Sequence, residues 1–187
     1  MAWRDAQVSH VKNGIYGEMF VAAMIAQAAM PGTIPELIQV GLGQIPTTSR
    51  LYEAISSVLQ DDQNGVPQQE CAARIHQTWN EQSSYDWCHV IPNAMLVTMA
   101  LLYGKGEFGP SVCMAVQEGF DTDCNGATIG SILGMLGGTA AIGSEWTAPV
   151  AGVLDTSIFG VGQIRIDDAV EKTLQDLCPG EQHSRAH

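Results

Sequence analysis

The sequence predicts an all-α fold in the form of a compact multi-helix domain. Apolar residues recur at helical spacing in three separate stretches, whereas runs that alternate with the period of a strand are nearly absent. The three stripes are Leu51, Ile55, Val58 and Leu59; Cys71, Ile75 and Trp79; and Val170, Leu174 and Leu177.

Proline and glycine divide the first half of the chain into helices. A helical run from about Gly17 to Met30 is ended by Pro31-Gly32, and Pro46 and Asn64-Gly65 mark loops. The N-terminal residues look like the tail of a helix and contain no apolar signal sequence.

The second half follows the same pattern. Pro92 and Pro110 suit the first turns of helices that end near Leu102 and Glu118. The segment from Phe159 to Ile166 is the one candidate for a short extended piece, and Asp167 or Asp168 is expected to cap the last helix.

The chain is predicted to form one helical domain over residues 1–178, because no linker or repeat interrupts its 187 residues. The polar residues over 179–187 predict a flexible tail. The formal net charge of −12 disfavours nucleic acid and anionic membranes as partners. The five cysteines, Cys178 among them, include no C-x-x-C pair, so we expect reduced thiols in the cytoplasm and no zinc site.

Residues 124–144 are uncharged and have glycine at every fourth position from Gly126 to Gly138. In a membrane such a stripe is a packing face for another helix. Six glycines and no basic flank favour a water-exposed domain instead, in which the stripe lets a helix or ligand approach closely. We expect the partner to be one of the apolar helices over 19–30 or 94–102.

An acidic turn, GFDTDCNG over residues 119–126, carries the most chemistry. Asp121 and Asp123 lie two residues apart before a predicted helix, so their oxygens can converge on a hard cation such as Mg²⁺ or Ca²⁺. The alternative is helix capping, which needs only one aspartate. The turn begins like an EF-hand loop, but Ile132 stands where that loop requires a bidentate glutamate, so an EF-hand is rejected.

The whole run from Gly119 to Gly134 resembles the C-terminal magnesium motif of the ADP-ribosylglycohydrolase family. Two other stretches are similar to family sequence: Asn13 to Ile25, and the lead-in that includes Asn93-Ala94 and 100–104. The resemblance covers roughly residues 8–177.

That resemblance implies a compact all-α hydrolase with two Mg²⁺ ions, which cleaves the glycosidic bond of ADP-ribose conjugates on proteins or small molecules. It implies that Asp121 and Asp123 are metal ligands and that Cys124 stands where the family often has Thr or Ser. It also implies that His10, Asn125 and Gly126 bind substrate. No catalytic residue is assigned.

The family's second metal motif, Thr/Ser-Asp-Asp, does not occur in these residues, and Asp61-Asp62 does not fit it. The chain therefore looks like a C-terminal fragment that lacks the N-terminal helices, inactive alone and completed by a missing N-terminal fragment. His76 and His89 are interpreted as core or surface residues.

Two other functions stay open. In a cysteine hydrolase, the helix N-terminus would lower the pKa of Cys124, and His10 or His89 would act as base. In a degenerate, non-catalytic module, the chain would bind ADP-ribose or assemble with a partner.

Overall fold

The computed structural model of the chain describes residues 1–177, so Cys178 and the predicted tail over 179–187 lie outside the described residues. The chain divides into two compact units, residues 1–142 and residues 143–187. The prediction of one domain over 1–178 stays a prediction.

The first unit consists of helices joined by loops and contains no strand over residues 1–142. Its helices are α1 (Ala2–Ala6), α2 (Asn13–Ala28), α3 (Ile34–Leu42), α4 (Arg50–Gln63), α5 (Gln68–Thr78), α6 (Val90–Tyr103), α7 (Phe108–Gln117) and α8 (Thr122–Gly137), followed by a 3-10 turn over Thr139–Ala141. These bounds confirm the predicted all-α class and the helices that contain Pro92 and Pro110.

Local signals start several of these helices. The Thr33 backbone N–H donates to Glu36 Oε2 at 2.7 Å, and Ser49 Oγ accepts from the Tyr52 N–H at 3.1 Å. Such caps satisfy backbone N–H groups that have no partner inside the helix. Asp61 and Asp62 lie in the last turn of α4, where Asp61 pairs with Arg74 of α5.

Helix α6 is the centre of the first unit. It contacts α2, α3, α4, α5, α7 and α8. A helix that is covered on all sides has no polar face, which explains why Leu96, Met99, Ala100 and Leu101 are fully buried together. This helix is apolar nearly all round, which accounts for its central position in the fold.

The glycine stripe of α8 has a different neighbour from the one predicted. A Cβ added to Gly126 would lie 3.5 Å from Val116, and one on Gly130 would lie 3.7 Å from Phe108, both residues of α7. These are ordinary van der Waals distances. The close approach predicted for the helices over 19–30 or 94–102 is therefore wrong for this face, because α8 turns Ile129, Ile132 and Leu133 into the core instead. Gly138 has φ +65° and no atom within 4 Å of an added Cβ.

The second unit is small and described up to residue 177. It contains α9 (Ser144–Thr147), a 3-10 turn (Ala148–Val150), β1 (Val153–Asp155), β2 (Gln163–Arg165) and α10 (Ile166–Leu177). The two strands pair antiparallel, with Val153 opposite Arg165. None of the side chains described over 143–176 is buried.

Two details of this unit correct the predictions. The extended piece is a hairpin, and its strand β1 was not predicted. Helix α10 begins at Ile166, so Asp167 and Asp168 lie in its first turn rather than at the residue before it. Within the described residues, no helix is long and apolar enough to cross a membrane.

Candidate metal centre

The acidic turn brings three potential ligands together. One ligand atom each from Asp121, Asp123 and Cys124 lies within 4.8 Å of the other two. Asp121 occupies the N-cap position of α8, yet its side chain makes no capping hydrogen bond. Capping therefore does not explain the Asp121 carboxylate, which is left able to bind another group.

The backbone before the turn is unusual. Gly119 has φ +77° and Phe120 has φ +59°, a conformation that costs a non-glycine residue about 1–3 kcal/mol unless the surroundings hold it. Phe120 is buried and its ring contacts His76, with centroids 5.3 Å apart. The positive φ of Gly119 favours glycine, because other residues rarely adopt this conformation without strain.

A cleft of about 270 Å³ opens beside the turn, between α2, α6 and α8. Its walls are mostly apolar, with a few polar groups, as small-molecule sites commonly are. Its lining consists of Gly17, Glu18, Phe20 and Val21; Cys88, Val90, Asn93, Ala94 and Val97; and Asp121, Cys124, Asn125 and Thr128.

The thiol of Cys124 is neutral near pH 7. A hydrogen bond with Asp121, then partial burial and the charges of Asp121 and Asp123, raise the pKa of Cys124 above its usual value of 9.0. The pKa of Cys124 is thus shifted in the direction opposite to the one that a cysteine hydrolase requires, and the structure gives that function no support.

The histidines proposed as bases have other contacts. His89 Nδ1 accepts the Ile91 N–H at 3.2 Å, and its ring stacks on Trp79 at 4.8 Å. Burial, and then the charge of Arg50, lowers the pKa of His89. His10 is exposed and pairs with Ser9 at 2.7 Å.

The predicted substrate-binding residues occupy different places. Asn125 is 3% exposed and lines the cleft, and its Nδ2 donates to Asn93 Oδ1 at 2.8 Å inside the protein. Gly126 turns toward α7 rather than into the cleft. The ring of His10 lies over Gly14, where an added Cβ would be 2.8 Å from His10 Cβ.

Only some of the donor atoms in this group suit a hard cation. Two carboxylates suit Mg²⁺, whereas a protonated thiol does not. Within residues 1–177, the group of Asp121, Asp123 and Cys124 is the one set of three or more acidic, cysteine or histidine ligands in reach of each other. The described residues therefore offer two oxygen-donor side chains of a metal site.

Sequence reasoning missed several residues around the turn. Asn93 binds its backbone, Glu18 lines the cleft, and Glu118 joins His76 at 3.2 Å. Asn93 was quoted in the family-like lead-in without a role. Glu118 directly precedes the acidic turn in sequence, but its partners His76 and Gln68 reach it only through tertiary packing. Glu18 lies in the family-like stretch from Asn13 to Ile25, and only the packing of α2 brings it to the cleft.

Comparison with known proteins returned one match. A family model described as ADP-ribosylglycohydrolase matches residues 1–183. No curated protein matches the chain, and no solved structure matches it.

Proposed function

Because the chain belongs to the ADP-ribosylglycohydrolase family, we propose that it serves Mg²⁺-dependent hydrolysis of the glycosidic bond in ADP-ribose conjugates. The observation that carries the proposal is the convergence of Asp121, which lines the cleft, with Asp123, while the Asp121 side chain makes no capping hydrogen bond. The conjugate is an ADP-ribosylated protein or small molecule.

The residues have distinct tasks in this proposal. Asp121 and Asp123 hold the cation through their carboxylates, and the apolar walls of the cleft exclude water from the bound sugar. When bound, Mg²⁺ supplies orientation of the ribose hydroxyls and polarisation of a water. Asn125 supports the turn through its hydrogen bond to Asn93, which also accepts the backbone N–H of Asp121.

We propose further that residues 1–177 supply one side of a two-metal centre. Two carboxylates leave most positions around Mg²⁺ to water, which holds the ion weakly. The chain on its own is therefore expected to hydrolyse ADP-ribose conjugates slowly. A polypeptide with a Thr/Ser-Asp-Asp motif is expected to complete the metal site.

The test measures release of ADP-ribose from an ADP-ribosyl-arginine or ADP-ribosyl-serine peptide at millimolar Mg²⁺. Turnover is expected to appear only when a family segment with the Thr/Ser-Asp-Asp motif is added, and to be lost in Asp123→Ala. Asp168→Ala is the matched control, because Asp168 also lies in the first turn of a helix. Strong turnover by the chain alone, lost in Asp123→Ala, would overturn the one-sided site. Unchanged turnover in Asp123→Ala would overturn the metal role.

A second candidate is a non-catalytic module that binds ADP-ribose. The neutral thiol of Cys124, at the position where the family often has an oxygen ligand, favours it. Calorimetry with ADP-ribose in a Mg²⁺-free buffer distinguishes the two. Tight binding without Mg²⁺, and no turnover after the missing motif is added, identifies the module.

We also propose a cytoplasmic setting. Cys71, Cys88, Cys113 and Cys124 are free thiols, and free thiols persist in reducing compartments. The net charge of −12 makes nucleic acid an unfavourable partner.

A further inference from the structure

The side chain of Asn93, on the first turns of α6, is fully used in hydrogen bonds. Its Oδ1 accepts the Asp121 backbone N–H at 3.1 Å and Asn125 Nδ2 at 2.8 Å. Its Nδ2 donates to the carbonyl oxygens of Trp87 at 3.0 Å and His89 at 2.9 Å. An asparagine amide has two donor hydrogens and two acceptor lone pairs, so none is left over.

The orientation of this amide follows from its partners. A backbone N–H can only donate and a carbonyl oxygen can only accept. If the amide were rotated by half a turn, its NH₂ would face the Asp121 N–H and its oxygen would face two carbonyls. The network therefore fixes one orientation and ties three segments together: the loop before α6, the start of α6 and the acidic turn.

The acidic turn needs such a tie. It is entered through Gly119 and Phe120, both with positive φ, and a strained backbone persists only where its surroundings hold it. The bond from Asn93 meets the chain at Asp121, which directly follows the strained Phe120 and is the first of the two converging carboxylates. Asn93 is 28 residues away in sequence, so the bond belongs to the tertiary fold.

We propose that Asn93 is a positioning residue that sets the acidic turn for binding a divalent cation. The inference rests on the proposed metal role of Asp121 and Asp123 and deepens it. Groups that orient metal ligands commonly change metal affinity by about 10- to 100-fold when they are removed. Removing the Asn93 side chain is expected to act through the turn rather than through lost contact with the metal.

The test uses the full chain and two readouts that need no catalysis. Mn²⁺ is the probe, and its affinity is measured by electron paramagnetic resonance of the free ion. Hydrogen exchange of the Asp121 backbone N–H, measured by NMR without metal, reports the turn itself. In Asn93→Ala, Mn²⁺ affinity is expected to fall by about tenfold or more, and Asp121 exchange to accelerate by a similar factor.

Tyr103→Phe is the matched control. Tyr103 lies at the other end of α6, and its hydroxyl donates to the Val66 carbonyl at 2.8 Å. Removal of this hydroxyl, like removal of the Asn93 amide, deletes a side-chain hydrogen bond that joins α6 to a loop. Thermal stability is expected to fall in both variants, whereas Mn²⁺ affinity and Asp121 exchange are expected to change only in Asn93→Ala.

Asn93→Asp keeps the test valid if Asn93→Ala does not fold. Aspartate loses the donors to Trp87 and His89 and turns an oxygen toward both carbonyls, so its side chain cannot hold the orientation of the wild-type amide. Faster Asp121 exchange is therefore expected in Asn93→Asp as well. Asp121 exchange within about twofold of wild type, in whichever of the two variants folds, would overturn the positioning role. If wild type binds no Mn²⁺ but Asn93→Ala still accelerates Asp121 exchange, the metal proposal fails while the role of Asn93 in the turn stands.

Discussion

The imidazole of His76 lies between the two residues that flank Gly119. Its Nε2 is 3.2 Å from Glu118 Oε2, and its ring centroid is 5.3 Å from that of Phe120. Glu118 also accepts a hydrogen bond from Gln68 Nε2 at 2.9 Å. Helix α5 thus supports the entry to the acidic turn from one side, as Asn93 of α6 does from another.

Glu118→Ala is expected to destabilise the chain by about 0.5–1.5 kcal/mol, because it removes the hydrogen bonds to two half-buried partners, which water can satisfy only in part. The measurement is urea unfolding followed by circular dichroism. Glu171→Ala, on the exposed surface of α10, is the control and is expected to leave the midpoint nearly unchanged. Equal effects of the two variants would show that the His76–Glu118 pair contributes nothing specific.

Asp121→Asn is expected to raise thermal stability in metal-free buffer by up to about 1 kcal/mol, since it relieves repulsion between neighbouring carboxylates. The same change is expected to abolish any increase in melting temperature that Mg²⁺ gives to the wild type, because binding stabilises only the form that holds the ion. Differential scanning calorimetry with and without Mg²⁺ measures both effects. A melting temperature that still rises with Mg²⁺ in the variant would place the ion elsewhere.

Cys124 is expected to react slowly with iodoacetamide at pH 7–8, since the thiolate is the nucleophile and Asp121 raises the pKa of this thiol. Its rate should keep increasing above the ordinary pKa of 9.0. In Asp121→Asn the hydrogen-bonded charge is gone, the pKa falls and alkylation at pH 8 becomes faster. Peptide mass spectrometry follows Cys124 separately from the other thiols, and an unchanged rate would contradict the assigned cause.

Stability is expected to decline between pH 9 and 12. Burial, and then the charge of Asp61, raises the pKa of Cys71 to about 12, from an ordinary 9.0. A pKa raised on folding gives stability that is complete below pH 9 and is lost as the pH rises through 12. Burial also raises the pKa of Tyr103 to about 12. Unfolding free energies measured from pH 8 to 11 should fall less steeply in Cys71→Ala than in the wild type.

Alanine is expected to have opposite effects on stability at Gly130, inside α8, and at Gly104, directly after α6. Gly130→Ala is expected to stabilise by up to about 1 kcal/mol, because alanine is the better helix former and the added Cβ meets Phe108 at 3.7 Å. Gly104→Ala is expected to destabilise by about 1–3 kcal/mol through overpacking. Its Cβ would collide with Ser111 Oγ and lie 2.6 Å from the Ala100 carbonyl. The melting temperature of each variant is compared with that of the wild type. A lower melting temperature in Gly130→Ala would show that α7 and α8 are too close to accept the added methyl group.

The sequence was sufficient where a pattern is local. A helical stretch from Ala94 to Leu102 that is apolar nearly all round is expected to be a central helix, and α6 is one. Two aspartates separated by one residue at a helix start have to lie near each other, and their ligand atoms do.

The sequence was insufficient where the deciding partner is distant. Glycine at every fourth position defines a face of α8 but not its neighbour, which is α7. The bond from Asn93 to Asp121 spans 28 residues, and no periodicity encodes it.

The second unit has no interior over its described side chains, 143–176. A segment without a fully buried side chain adds little to a cooperative melting transition, because that transition reflects the apolar surface exposed on unfolding. The first 142 residues should therefore supply most of the calorimetric enthalpy of the described chain. The hairpin and α10 should open through subglobal fluctuations well below the melting temperature, and proteases should cut there first.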